Sequence, residues 1–520
     1  MGGSGIITFY RTIRYLKPIQ ILYRGKLILK RFLPAKIIWN EYQLVASNDL
    51  CLEDSIPLDN SYICSSAVFS FLNLSHPFPF GIDWNWLVYG RLWAYNLNYF
   101  EYLNQRNCSK EEGIVLINDF LNQLLSCSVG LESYPLSLRC INWIRFFIKH
   151  KLKDKRYDVI LFQQLELLTH KLEYHLMGNH LLENGFALLF GAYYFGSNDF
   201  YKQAKRILIP ELEEQTLVDG ANFELSPMYH CIMLFRVLDC YNLVKCNPSF
   251  SRELLPIFEK QCCRMLGWLS AITFNNGDIP LFNDAAFKIA PTTAALFDYA
   301  DRLGLSYRKT TLRDSGYRKL VNLKFEAVID VAKVGPDYQP GHAHADTFNF
   351  ELHVNNRSVI VDTGTSTYEV NQIRFYERST AAHNTVVVDN SNSSEVWAGH
   401  RVGRRAFVTI LEETADRLVA VHDGYSSKKL KHIRSFEMKD GCYNICDTIA
   451  SEAVAYLHFH PSEKIKLEKA EIIGSDYHVK FIGADSIELF DTYYAPEFNK
   501  RVPSVGVKIY FKNKLQTIFG

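Results

Sequence analysis

Two histidines two residues apart offer the clearest chemistry in this chain, in Gly341-His342-Ala343-His344-Ala345-Asp346. Val361-Asp362-Thr363-Gly364 follows, and then Ala381-Ala382-His383-Asn384-Thr385. In an extended chain residues i and i+2 share a face, so His342 and His344 can enter one pocket while Asp362 and His383 arrive from neighbouring strands. Neutral imidazoles with one carboxylate make a donor set suited to Zn²⁺. A chain with 16 histidines also produces such pairs by chance, hydrogen-bonded on a strand surface.

Three further segments precede these. Gly178-Asn179-His180-Leu181-Leu182-Glu183-Asn184-Gly185 sets Asn179 with Glu183, and His180 with Asn184, at i,i+4 on overlapping helix faces. In Phe223-Glu224-Leu225-Ser226-Pro227-Met228-Tyr229-His230, Ser226 suits an N-cap and Pro227 a first helical turn. Asn276-Gly277-Asp278-Ile279-Pro280 reads as a turn fit for a cleft wall. Taken singly, an Asn-His pair at a helix start is usually a cap, and a Tyr beside a Pro is usually packing. Arg374, Tyr376 and Arg378 fall in a predicted loop before His383, where they either hold an acidic sugar or pair with Glu369 and Glu377 on a solvated surface.

In their order, the Asn-His, Ser-Pro-x-Tyr and His-x-His segments resemble the heparinase II/III and alginate lyase superfamily of polysaccharide lyases, from about residue 90 to residue 460. The resemblance implies an incomplete α/α toroid followed by an antiparallel β-sandwich. It implies zinc on His344, Asp362 and His383, fixing the loop that carries His342, with a fourth position left open to a substrate oxygen as the alternative role. It also implies β-elimination on a uronic acid glycan, in which a base removes the proton at C5 and the C4 oxygen leaves. Asn179 and His180 would then hydrogen-bond the substrate carboxyl group. Tyr229 would serve as base and acid in a syn elimination; for the opposite C5 configuration His342 or His180 would be the base and Tyr229 the acid. Glu183, Glu224 and His230, with Arg374, Tyr376 and Arg378, are the expected substrate contacts. Similar chains occur in bacterial capsule and exopolysaccharide clusters. Two alternatives stay open: a uronyl C5-epimerase on the same fold, and a non-catalytic glycan-binding component of a polysaccharide assembly system.

The elements that must position these residues divide the chain. At 520 residues it exceeds what one core usually serves. Apolar residues recur at helical spacing from about Leu87 to Leu303, with predicted helices over 114–125, 136–147, 159–177, 181–194 and 228–244. After about residue 320 the pattern alternates. Phe348, Phe350, Leu352 and Val354 predict a half-buried strand, Asn355-Asn356 turns it into 358–361, and Asp440-Gly441 marks a second hairpin. The expectation is an α+β chain: a basic segment at 1–60, a helical domain at 61–318 and a β-sandwich at 319–520.

Composition narrows the partners. A net charge of +1 gives no global field for nucleic acid, so an acidic polysaccharide must be held by local cations. Aromatic residues reach 14%, which suits either sugar stacking or an aromatic core. The 12 cysteines lack metal or disulfide spacing and read as mostly buried free thiols, which favours a reducing compartment. No secretory signal is visible, so the expected location is cytoplasmic or membrane-peripheral, with the periplasm left open. Residues 6–33 are broken by Arg11, Arg14, Lys17, Arg24, Lys26, Lys30 and Arg31, too charged to span a bilayer. They read either as packed helices with a solvated basic face, the commoner case, or as a basic amphipathic helix pair for anionic lipid or an assembly partner, separable from the cleft.

Overall fold

The structure, a computed structural model, describes residues 3–30, 47–250 and 252–520. Its helical half is built from hairpins in chain order: Lys110–Gln123, Ser133–Lys149, Lys155–Thr169, Gly178–Phe195, Asn198–Gln215, Pro227–Cys246 and Leu254–Ile272. Local chemistry starts several of them. Ser109 and Glu112 form a reciprocal capping box, and Asp154, Ser197 and Ser226 each accept a backbone N–H of the first turn. Pro227 occupies the first turn. The helices pack into a continuous core rich in rings, where Trp84 stacks on Phe100 and Phe120 meets Trp143 edge-on, and Gly178–Phe195 and Pro227–Cys246 are buried on nearly all sides. Much of the aromatic excess is therefore packing.

One predicted helix is too long. The expected 159–177 ends at Thr169, and residues 170–177 form a loop. Asn184 accepts the Glu173 backbone N–H at 2.8 Å, so the loop's buried polar groups are met by the neighbouring helix. Residues 62–77 form a small antiparallel sheet, with Phe69 and Phe71 in the helical core.

The C-terminal half is an antiparallel β-sandwich. Tyr317–Val321, Phe325–Asp330, Phe350–Val354 and Arg357–Ile360 form one sheet in that order. The larger sheet runs Val408–Glu413, Arg417–His422, His432–Lys439, Cys442–His458, Lys500–Phe519, His478–Glu497, Glu471–Ile473, Lys466–Glu468. Phe350 seals the two together against Phe436, Tyr443 and Phe519. Both hairpins lie at the expected turns, with Asn355, Asn356, Asp440 and Gly441 all at positive φ.

The strand Phe350–Val354 is buried on both faces rather than half-buried. Its polar face abuts the helical half: Glu351 accepts the Leu281 N–H at 2.8 Å, and His353 stacks on Phe274 at 3.8 Å. The smaller sheet is thus a middle layer, and alternation with polar residues marks an interdomain face, not water.

The N-terminal helices Gly3–Ile13 and Pro18–Lys30 do not stand apart but pack on the rest of the chain, the first of the two expected readings. Thr12 accepts the Trp397 indole N–H at 3.1 Å and Arg11 pairs with Glu395 at 3.5 Å, both in the sheet half. Lys17 lies over the Tyr338 ring at 4.1 Å and Gln20 donates to the Leu176 carbonyl at 3.1 Å. The pair bridges the two halves; residues 31–33 of the predicted segment lie outside the described residues. Among the described residues no helix is long and apolar enough to cross a membrane. All 12 cysteines are free; six are buried, while Cys51 and Cys64 are exposed.

Candidate active site

Asp284 is where the two halves meet. It follows Asn283, held at φ 58, whose side-chain amide donates to the Leu225 carbonyl and whose oxygen accepts the His344 backbone N–H. Ser226, the N-cap of the helix carrying Tyr229, donates its hydroxyl to the Asp284 carbonyl. The Asp284 carboxylate, fully buried, then gathers three side chains. His342 Nδ1 lies 2.9 Å from Oδ2, His344 Nε2 lies 2.9 Å from Oδ1, and the Arg374 guanidinium binds both oxygens. Burial alone would raise this carboxyl's pKa, but Arg374 and the two imidazoles drive it well below the carboxylate range. The expected meeting of His342 and His344 occurs, although residues 341–346 form a loop rather than a strand.

A second buried carboxylate, Glu224, ties the helix start to the histidine loop. Both its oxygens accept from Asn179 Nδ2 at 3.1 Å, one accepts the Asn179 backbone N–H at 3.0 Å, and Oε2 lies 3.3 Å from His342 Nε2. Gly178 permits this approach: at φ +58, a Cβ there would stand 3.0 Å from Glu224 Oε1. Next on the helix, His180 Nδ1 meets Glu173 at 3.0 Å. Burial lowers the His180 pKa, but Glu173, then Glu224 and Glu183, outweigh it, and the net shift is upward.

Tyr229 stacks on His342, ring centroids 3.9 Å apart, and its hydroxyl lies 3.3 Å from that of Tyr368. Burial pushes the Tyr229 pKa up, so the ring keeps its phenolic proton at neutral pH. Asn179, His180, Glu183, Tyr229, His342 and Tyr368 all line one cleft of about 1590 Å³, as do Gly277, Asp278 and Ile279 of the predicted wall turn.

Five expected substrate contacts do not line this cleft, and the sixth lines it but is held by another side chain. Glu224 is spent on Asn179 and His342. His230 is buried between the Asn222 N–H and the Met265 carbonyl. Arg374 and Arg378 lie on and just after a short helix, Gln372–Glu377, not in a loop; Arg374 serves Asp284, and Arg378 donates to the Ala343 carbonyl at 2.8 Å. Tyr376 pairs with Thr492 at 3.3 Å, again away from the cleft. Glu183 lines the cleft, but Oε1 is held by Arg236 at 3.2 Å. Asn179 also differs from expectation, because its amide donors point at Glu224.

His344, Asp362 and His383 are fully buried neighbours, the two rings 5.3 Å apart. His383 Nδ1 meets Asp362 Oδ2 at 2.8 Å, and Asp362 also accepts from Asn349 and the Gly364 N–H. His344 Nδ1, His383 Nε2 and Asp346 Oδ2 have no hydrogen-bond partner among the described residues. The donor types fit zinc and two imidazole nitrogens stand uncommitted; the Asp362 oxygens are engaged, and among the described residues no group of three such side chains is disposed around one point.

Two family models match the chain: "Heparinase II/III N-terminus" over residues 133–301 and "Heparinase II/III-like, C-terminal" over residues 306–514. The chain belongs to the heparinase II/III family. Among curated relatives it resembles a heparin-sulfate lyase of Bacteroides stercoris, 24% identical over 342 residues, 59% of this chain and 48% of that protein. A heparin-sulfate lyase of Pedobacter heparinus is 26% identical over 263 residues, 44% of this chain and 38% of that one. The chain thus matches half or less of the length of these relatives. A crystal structure of heparinase III shares the fold, with a TM-score of 0.69 at 15% identity over 98% of this chain and 93% of that one.

Within this heparinase II/III site, sequence reasoning missed Asp284, Tyr368 and Glu173. Asp284 had a readable signal: a carboxylate just after the apolar pair Leu281-Phe282, beyond the wall turn. Asp284→Asn strands a buried guanidinium, so the expected loss is about 3–5 kcal/mol in urea unfolding at neutral pH. The folded-state pKa is depressed, so this stability is complete above the ordinary carboxylate value, about 4, and fades as pH falls through the depressed one. The variant's unfolding free energy should therefore vary less with acidification than that of the wild type; an equal slope, or a loss under about 1 kcal/mol, contradicts this role.

Proposed function

We propose that this chain is a polysaccharide lyase that cleaves a uronic-acid-containing glycosaminoglycan of the heparan sulfate type by β-elimination. The observation that carries the reading is the convergence of three distant segments: Tyr229 stacked on His342, and His342 joined through Glu224 to the Asn179-His180 pair. The names of the curated relatives supply the substrate class.

Elimination needs charge neutralisation at the substrate carboxylate, a base for the C5 proton and an acid for the leaving oxygen. His180, with its raised pKa and its place on the cleft wall, supplies positive charge. Asn179 is held against Glu224 as a positioning residue. Asp284 accepts the Nδ1 proton of His342 and orients the ring, with Nε2 on the side of Glu224 Oε2, 3.3 Å away. His342 Nε2 takes the C5 proton, the C–H electron pair becomes the C4–C5 double bond, and the C4–O bond breaks. Tyr229, which burial keeps as a phenol, gives its proton to the departing oxygen. A route through Tyr229 alone needs a phenolate that this burial disfavours. Tyr229→Phe and His180→Gln should each keep the fold by circular dichroism and lower turnover on heparan sulfate at least about a hundredfold, with Asn179→Ala also impaired. Near-normal product absorbance from Tyr229→Phe overturns the assignment.

Zinc on His344, Asp362 and His383 belongs to the same reading, supported by the two uncommitted imidazole nitrogens. It would hold the loop that carries His342 and take no part in the proton transfers. Metal analysis should find about one zinc per chain, lost with a fall in Tm in His344→Ala or Asp362→Ala. Absence of zinc from the wild type, or zinc unaffected by both changes, contradicts it.

We further infer a role in capsule or exopolysaccharide metabolism at a lipid surface. Ile6, Ile7, Tyr10, Ile21, Leu22, Ile28 and Leu29 are exposed on helices that also carry Arg11, Arg24 and Lys26, the pattern of an interfacial amphipathic segment. The protein should sediment with vesicles containing phosphatidylserine and not with phosphatidylcholine alone, and Ile7→Asp/Ile28→Asp should abolish this. Equal recovery with both vesicle types, or no effect of the substitutions, contradicts it.

A further inference from the structure

Five arginines and lysines line the cleft: Arg24, Arg91, Arg236, Lys288 and Arg401. Three are already neutralised within the protein, Arg91 by Glu132, Arg236 by Glu183 and Glu101, and Lys288 by Glu497. Arg24 and Arg401 have no ion pair and no side-chain hydrogen bond among the described residues. Arg24 comes from the second N-terminal helix and Arg401 from the short strand Arg401–Val402 of the sheet half, and both line the cleft. Arg401 lies over the Trp397 ring at 4.9 Å, and the same indole donates to Thr12 of the first helix; Phe9 and Leu16 line the same cleft. The next residue back, His400, has its ring 6.5 Å from that of His342, so the wall adjoins the catalytic pair.

We propose that Arg24 and Arg401 form an anionic subsite of the cleft, binding a sulfate or carboxylate substituent on a sugar next to the one undergoing elimination. This deepens, and rests on, the lyase reading. Among the described residues the two exposed guanidinium groups have no compensating anion, and partial burial, followed by the charge of Arg401, lowers the pKa of Arg24, an effect that a bound anion opposes. Guanidinium forks suit sulfate and carboxylate because both present paired oxygens. The cleft is therefore completed by a segment that lies outside both family-model matches, which begin at residue 133. The N-terminal helices become part of the substrate site as well as a bridge between domains.

The test separates binding from turnover. In the full-length Tyr229→Phe chain, calorimetric titration with a sulfated heparan tetrasaccharide and with an unsulfated uronate tetrasaccharide reads the subsite without cleavage. Adding Arg24→Gln or Arg401→Gln should weaken binding of the sulfated ligand roughly tenfold each, and Arg24→Lys should restore part of it. The salt dependence of binding should also fall. A larger loss for the sulfated ligand assigns sulfate, and an equal loss for both assigns the carboxylate. Unchanged affinity in the double variant, or no binding of either ligand with both arginines intact, overturns the subsite. Arginine-dependent binding by a wild-type chain that cleaves no polymer keeps the subsite and sinks the lyase reading.

Discussion

A single buried carboxylate holds the site together. Asp284 receives His342, His344 and Arg374 from the sheet half, while its own backbone carbonyl is bound by Ser226 at the start of the helix that presents Tyr229. A charge removed from water at this depth is tolerated only when its oxygens are fully paired, and that demand fixes every partner in place. One histidine is thereby directed to the cleft and the other to the buried cluster with His383. Pairing that costs little in water becomes, at zero exposure, a device for holding two domains in register.

The interdomain face is organised in the same way. Glu351 and His353 project from the smaller sheet into the helical half, and Glu351 is bound by backbone N–H groups from both sides of the boundary. Burial pushes the Glu351 pKa up to about 8, helped by the charge of Asp362. Within the sheet half, Gly364 lies close against the strand His478–Glu497, since at φ +77 a Cβ would fall 2.2 Å from the Ala495 carbonyl oxygen. The cleft is the part of this boundary that stays open, and the N-terminal helices wall one side of it.

Local signals in the sequence were legible where one element satisfies its own needs. Ser226-Pro227 read as a helix start because the cap and the first-turn proline act within a few residues, and Asn355-Asn356 and Asp440-Gly441 read as turns because their backbone geometry admits few residue types. The switch from helical spacing to alternation gave the α+β order. Long-range electrostatics was not legible. Arg374 and Arg378 looked like surface cations and are buried, because their partners, Asp284 and the Ala343 carbonyl, come from segments far away in the chain. Glu224 looked like a substrate contact and proved to be a clasp. Alternation in 347–354 suggested a wet face, although the second face is covered by another domain. The N-terminal helices were visible as amphipathic, but nothing local showed that Phe9, Leu16 and Arg24 would reach the cleft.

The central claim is that this cleft removes a C5 proton and expels the C4 oxygen. Incubating the wild-type chain with heparan sulfate in deuterated water, while following ultraviolet absorbance and the mass of the fragments, tests it most directly. The account predicts shortened chains whose new non-reducing ends carry a C4–C5 double bond. Deuterium entering C5 of an uncut polymer, or binding with neither exchange nor cleavage, would contradict it.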